Sequence, residues 1–153
     1  MGMIRWILVS LVVLVLGFFV FVDIYNTPPE NLGVENGLFA SCPNSPNCVS
    51  TQADPTDTIH YVEPIVYRGS MKDAQLKIEQ YFLSKGDAHI VESRLGYLYL
   101  EKSSDLFGFI DDVEFYFPEA DSVIHVRSAS RVGYDDLGVN TTRVRQVREL
   151  LVN

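Results

Sequence analysis

FGFIDDVEFYFPEADSVIHVRSASRV, residues 107–132, decides the fold. Two β-rich runs, 107–117 and 122–132, flank the turn-forming PEAD and read as an antiparallel hairpin. Pairing Phe117 with Ser122 across that turn sets the register, and side chains alternate faces along each strand. One face then holds Phe115 with Ile124, Val113 with Val126, Asp111 with Ser128 and Phe109 with Ser130, and is the expected core face. The other holds Tyr116 with Val123, Glu114 with His125, Asp112 with Arg127 and Ile110 with Ala129, with Arg131 further along. On that face Asp112 and Arg127 are expected cross-strand partners, as are Glu114 and His125 once the imidazole is protonated.

Working outward, AHIVESR and GYLYLEK form a second hairpin turning at Leu95 and Gly96. Upstream, SMKDAQLKIEQYFLSKG has apolar residues at 71, 74, 78, 81 and 82, with Ser70 as N-cap, Asp73 three residues on and Gly86 as terminator. That spacing predicts one amphipathic helix. IHYVEPIVY, 59–67, predicts a strand that Pro64 restricts to an edge or irregular position. VNTTRVRQVRELLV predicts a last helix with Asn140 as N-cap and Val144, Val147 and Leu151 as its buried stripe. The predicted class is α+β: an antiparallel five-stranded sheet with helices on one face, in the order β-α-β-β-β-β-α, preceded by one N-terminal transmembrane helix.

Trp6 to Val22 is a run of 17 uncharged residues. As a helix it covers about 26 Å, and Ile4, Ile24 and Tyr25 extend it to the roughly 30 Å of a hydrocarbon core. Arg5 precedes the run, Asp23, Glu30 and Glu35 follow it, and no Lys or Arg appears again before Arg68. The positive-inside rule therefore keeps the N-terminus cytoplasmic and exports the body, which points to a single-pass inner-membrane protein with a periplasmic or otherwise exported domain. The run exceeds the length of a signal-peptide core, and VDIYNTPPEN lacks a small-x-small cleavage site, so an uncleaved anchor is expected over a signal peptide. The expected organisation is an anchor at 1–25, a Pro- and Gly-bearing linker at 26–40, and a globular domain at 41–153.

Both cysteines, Cys42 and Cys48, lie in SCPNSPNCVS around a turn-rich loop. In an exported body that spacing most simply makes a small structural disulfide, with a redox pair and free thiols as alternatives. CPNSPNCVST at 42–51, FGFIDDVEFYF at 107–117 and IHVRSASRVGYDDLGVNTTRV at 124–144 resemble the signature blocks of the domain-of-unknown-function family 1499. The resemblance covers residues 40–152. It implies a domain carried behind a membrane or export segment and brings no established activity.

The formal net charge of -8 and the absence of a basic, aromatic-interleaved run exclude the usual electrostatic footprint of a nucleic-acid binder. The candidate binding residues are Arg127, Ser128, Arg131, Asp135 and Asp136, joined by Asp111 and Asp112. A serine triad is disfavoured because Ser128 and Ser130 fall on the face opposite His125, and no G-x-S-x-G elbow is present. The four aspartates would attract a hard cation if the YDDLG turn folded back on the hairpin, but their spacing is not that of an EF-hand loop and the arginines stand ready to neutralise them. No metal or cofactor is therefore expected. Two readings stay open for the cluster: an Arg–Asp network holding the sheet-to-helix corner, and a polar-ligand site with the arginines as anion-binding groups. Tyr97, Tyr99 and Tyr116 share the non-core phase and form a candidate apolar patch. The function class expected is a non-enzymatic, membrane-anchored, exported module that binds a partner protein or an envelope lipid through its sheet. The alternative is a small hydrolase or metal-dependent enzyme using the Asp/Arg cluster.

Overall fold

The computed structural model describes residues 2–152; Met1 and Asn153, the outer ends of the expected anchor and domain, lie outside them. The described chain runs α1 (Gly2–Tyr25), β1 (Cys48–Ser50), β2 (Ile65–Val66), α2 (Met71–Lys85), β3 (Ala88–Arg94), β4 (Tyr97–Ser103), β5 (Ile110–Tyr116), β6 (Val123–Ser130) and α3 (Val139–Val152). The sheet order is β1-β6-β5-β4-β3, with β2 beside β1 along the same edge of β6 and every strand pair antiparallel. The α+β architecture with an N-terminal apolar helix is the predicted one. The sheet has a sixth strand because Cys48–Ser50 pairs with β6. The run 59–67 contributes only Ile65–Val66: Pro64 has no N–H to give a ladder, and the Asp57 carboxylate accepts from the Ile59 and His60 amides, winding that part into a turn.

The helix caps follow local chemistry. Ser70 Oγ accepts from the Asp73 amide at 3.1 Å, and Gly86, at φ 77°, ends α2 in the left-handed conformation. Gly96, at φ 91°, sits in the two-residue turn between β3 and β4, as expected. The hairpin register differs. Tyr116 pairs with His125 and Asp112 with Ala129, a shift of two residues from the expected alignment. The PEAD turn is wider because its flanks bond elsewhere: the Phe117 amide donates to Gly96 O at 2.9 Å, and Ser122 O accepts from the Tyr67 amide at 3.2 Å. A shift of two preserves the alternation of faces while changing every partner.

On one face of the sheet Leu98, Leu100, Val113, Phe115, Ile124 and Val126 pack against Ala74, Ile78 and Phe82 of α2 and Val144 and Val147 of α3. Each large side chain buried there contributes roughly 1.5–3 kcal/mol. Both helices therefore lie on the same face. The opposite face is covered by the segment expected to be a free tether. Leu32, Val34 and Phe39 pack on Tyr97, Tyr99 and Tyr116, so the candidate tyrosine patch is largely buried beneath residues 26–40. Gln52 fixes that segment by accepting from the Phe39 amide and donating to Gly37 O, both at 2.8 Å. Cys42 and Cys48 form a disulfide at the entry to β1.

Candidate functional site

Strand alternation gathers Tyr97, Tyr99 and Glu101 from β4, Asp112 and Glu114 from β5, and Arg127 from β6 on the face beneath residues 26–40, with Arg131 just beyond β6. Arg131 is the hub. Its Nε donates to both Asp112 carboxylate oxygens at 3.0 and 3.1 Å, and its Nη2 donates to Asp112 Oδ1 at 2.7 Å, to Tyr99 Oη at 3.0 Å and to Glu101. Its Nη1 donates to the carbonyl of Asn26 at 2.6 Å. Burial works against this charge, but the hydrogen bonds to Asp112 and Glu101 outweigh it and hold the guanidinium more firmly protonated than usual. Tyr99 donates in turn to Asp112 at 2.7 Å, and burial together with that carboxylate pushes its phenol well above the ordinary range.

Glu114, fully buried, is the second node. Its Oε1 accepts from Tyr97 Oη at 2.8 Å and from the Gly33 amide at 2.6 Å, and its Oε2 faces Arg127 Nη1 at 3.4 Å. The expected Asp112–Arg127 and Glu114–His125 pairs are thus replaced by Asp112–Arg131 and Glu114–Arg127, a direct result of the two-residue shift. His125 instead stacks on Tyr116 and meets Thr51 Oγ1 at 3.2 Å, and burial lowers its pKa.

Burial raises the Glu114 pKa above its ordinary 4.5, and its hydrogen-bond donors and Arg127 offset this only in part. A carboxyl with a raised folded-state pKa holds more protons folded than unfolded between the two values. Stability is therefore expected to fall as pH rises from about 4.5 through the raised folded value. Glu114→Gln should remove that decline. Denaturant midpoints measured across an acid-to-neutral pH series check it, and parallel curves for the two proteins would count against it.

Asp111 and Ser128 point to the helix-bearing face. Arg143 of α3 donates to Asp111 Oδ2 at 2.5 Å and to Ser128 Oγ at 2.7 Å, and also reaches Asn140. Ser128 donates to Asn140 Oδ1 at 2.6 Å, while Asn140 Nδ2 donates to Asn47 O and Ser130 Oγ. Asn47 bonds back to the carbonyls of Ser130 and Gly133. This group ties the disulfide loop, β6 and α3 together.

Asn140, the expected N-cap, is buried inside the first turn of α3, and the capping role passes to Asp136. Its carboxylate accepts from the Gly138 and Asn140 amides at 3.0 and 2.6 Å, while Asp135 accepts only from Leu137 N at 2.8 Å. Asp136→Ala is therefore expected to cost about 0.5–2 kcal/mol, the usual loss of a cap. Asp135→Ala should stay within about 0.5 kcal/mol, as for an exposed surface group. Thermal melts of the two variants check the difference.

The seven candidate residues thus separate into three places: Asp112, Arg127 and Arg131 under the N-terminal segment, Asp111 and Ser128 under α3, and Asp135 and Asp136 at the start of α3. Asp111 and Asp112 face opposite sides of the sheet, so the four aspartates do not converge. Among the described residues no group of three or more His, Cys, Asp or Glu side chains is placed to hold a metal ion. The residues that complete the networks and were not among the seven candidates are Glu114, expected only as a partner of His125, and Glu101, Arg143 and Asn47, with the backbone of Asn26 and Gly33. Arg143 carried a signal, since it lies three residues after Asn140 and adjoins the apolar stripe of α3. The backbone groups of Asn26 and Gly33 carried none.

What emerges is an α+β domain behind an apolar N-terminal helix, in which Asp111, Asp112 and Glu114 each meet an arginine of the same domain while Arg127 Nε and Asp87 Oδ1 are buried without a hydrogen-bond partner. Residues 39–151 match the family described as Protein of unknown function (DUF1499), and the chain belongs to that family. No curated protein and no solved structure matches the chain.

Proposed function

We propose that this protein is a single-pass membrane protein whose N-terminus is cytoplasmic and whose exported domain is a non-enzymatic binding or envelope-associated module for a partner protein or lipid. The observation that carries this reading is the rigid junction between helix and domain. Asn26, directly after α1, donates to Gly108 O at 2.7 Å, accepts from the Ile110 amide at 3.0 Å and is gripped at its own carbonyl by Arg131. A helix fastened in this way sets the orientation of the domain at the bilayer, which suits a displayed module. The charge asymmetry around α1 supports the orientation, and the Cys42–Cys48 disulfide suits an oxidising compartment. Both sheet faces are covered, so a partner meets edges and turns. Leu137, 91% exposed at φ 54°, is the foremost such position.

A periplasm-dependent phosphatase reporter fused after Val152 is expected to be active, and the protein should stay in membranes through an alkaline wash. A photo-cross-linking side chain at Leu137 should give a discrete adduct in intact cells. An inactive reporter, or a domain released by the wash, overturns the placement. Loss of the adduct with placement intact removes the turn as the contact surface.

A further inference from the structure

The loop Leu106–Phe109 and the last turns of α1 share one apolar contact. Phe18 lies edge-on to Phe107 and Phe109, with ring centroids at 5.7 and 6.2 Å, and those two rings are 5.6 Å apart. Val22 is 3% exposed, and Asn26 holds the backbone of Gly108 and Ile110. Positions 18, 22 and 26 are spaced four apart and so form one stripe of the helix facing the domain. Within the loop, Leu106 is 73% exposed, and Phe107 remains 43% exposed despite its contact with Phe18.

The length of α1 decides where this contact sits. If the bilayer ended before Phe18, the stretch left to fill it would be Ile4 to Gly17, uncharged except for Arg5. Those 14 residues span about 21 Å, well short of a hydrocarbon core of roughly 30 Å. Filling the core requires the helix to be immersed to about Val22, roughly 6 Å beyond Phe18 along the axis. A loop that touches Phe18 is then below the surface as well. We propose that the Leu106–Phe109 loop is a second membrane-inserted element, which buries Leu106 and Phe107 among the acyl chains beside α1. Ser103, Ser104 and Asp105 precede it as the polar stretch at the membrane surface. An acidic body is repelled by anionic headgroups, so apolar insertion is the route by which this domain can seat on a bilayer.

This inference rests on α1 being a membrane span, and the test separates the two. The chain has one tryptophan, Trp6, so a Trp6→Phe background allows single reporters in the full-length protein: Leu106→Trp and Phe107→Trp in the loop, and Leu14→Trp in the helix. Each is reconstituted in phosphatidylcholine vesicles with acyl chains brominated at shallow or deep positions. The expected result is a blue-shifted emission from both loop reporters that is quenched most by the shallow bromines, with Leu14→Trp quenched by the deep ones. If Leu14→Trp is quenched while both loop reporters emit as in water, α1 spans without the loop and the inference is overturned. If Leu14→Trp is also unquenched, the span itself is wrong and the inference falls with it.

Discussion

Arg131→Ala is expected to lower the stability of the domain by about 3–5 kcal/mol, the usual consequence of removing one partner from a buried ion pair. The Asp112 carboxylate, 2% exposed, would lose its bidentate guanidinium and be left buried without that partner. Tyr99, Glu101 and the Asn26 carbonyl would lose a donor at the same time. For a domain of this size the loss corresponds to a fall in melting temperature on the order of 10–20 °C. Arg131→Lys restores the charge without the planar fork, so an intermediate value is expected. Because Arg131 also grips Asn26, amide exchange should quicken across residues 26–40 before it does in α2. Thermal melts and hydrogen exchange on the membrane-solubilised chain measure both effects, and a melting temperature within a few degrees of the parent would refute the hub role.

Arg143→Ala is the second large loss, again about 3–5 kcal/mol. It strands Asp111 and removes a donor from Ser128 and Asn140, which hold α3 to β6 and to the disulfide loop. Its exchange signature should be the reverse of the first, with α3 loosening and residues 26–40 retained. The two networks lie on opposite faces of the sheet and share no side chain, so the losses should add. Removing both members together, as Asp111→Asn with Arg143→Met, should recover part of the stability, because no charge is then left buried and unpaired. If the double variant is no better than Arg143→Ala alone, the cost lies in packing and not in the stranded carboxylate.

Local patterns carried much of the fold. The caps Ser70 and Gly86, the turn at Gly96 and the alternation of β5 and β6 all depend on residues within a few positions of one another. Such interactions are written in spacing and side-chain type. Face assignment survived a wrong register for the same reason, since a two-residue slip leaves the period of a strand intact. The separation of Ser128 from His125 was therefore legible, while the acid facing Arg127 was not. Cys48–Ser50 was missed as a strand because three residues are too few to show a period, and their pairing depends on β6, some eighty residues away.

The sequence by itself determined an α+β domain behind one apolar helix, the amphipathic faces of its elements, and its membership of a family recognised by three short blocks. Only the tertiary structure decided what the charges do. Arg131 meets Asp112 and Asn26, Glu114 meets Gly33, and Asp111 meets Arg143, each across 19 to 105 positions of chain. Partners at such separations are chosen by packing and by the requirement that every buried charge be satisfied, which no local spacing encodes.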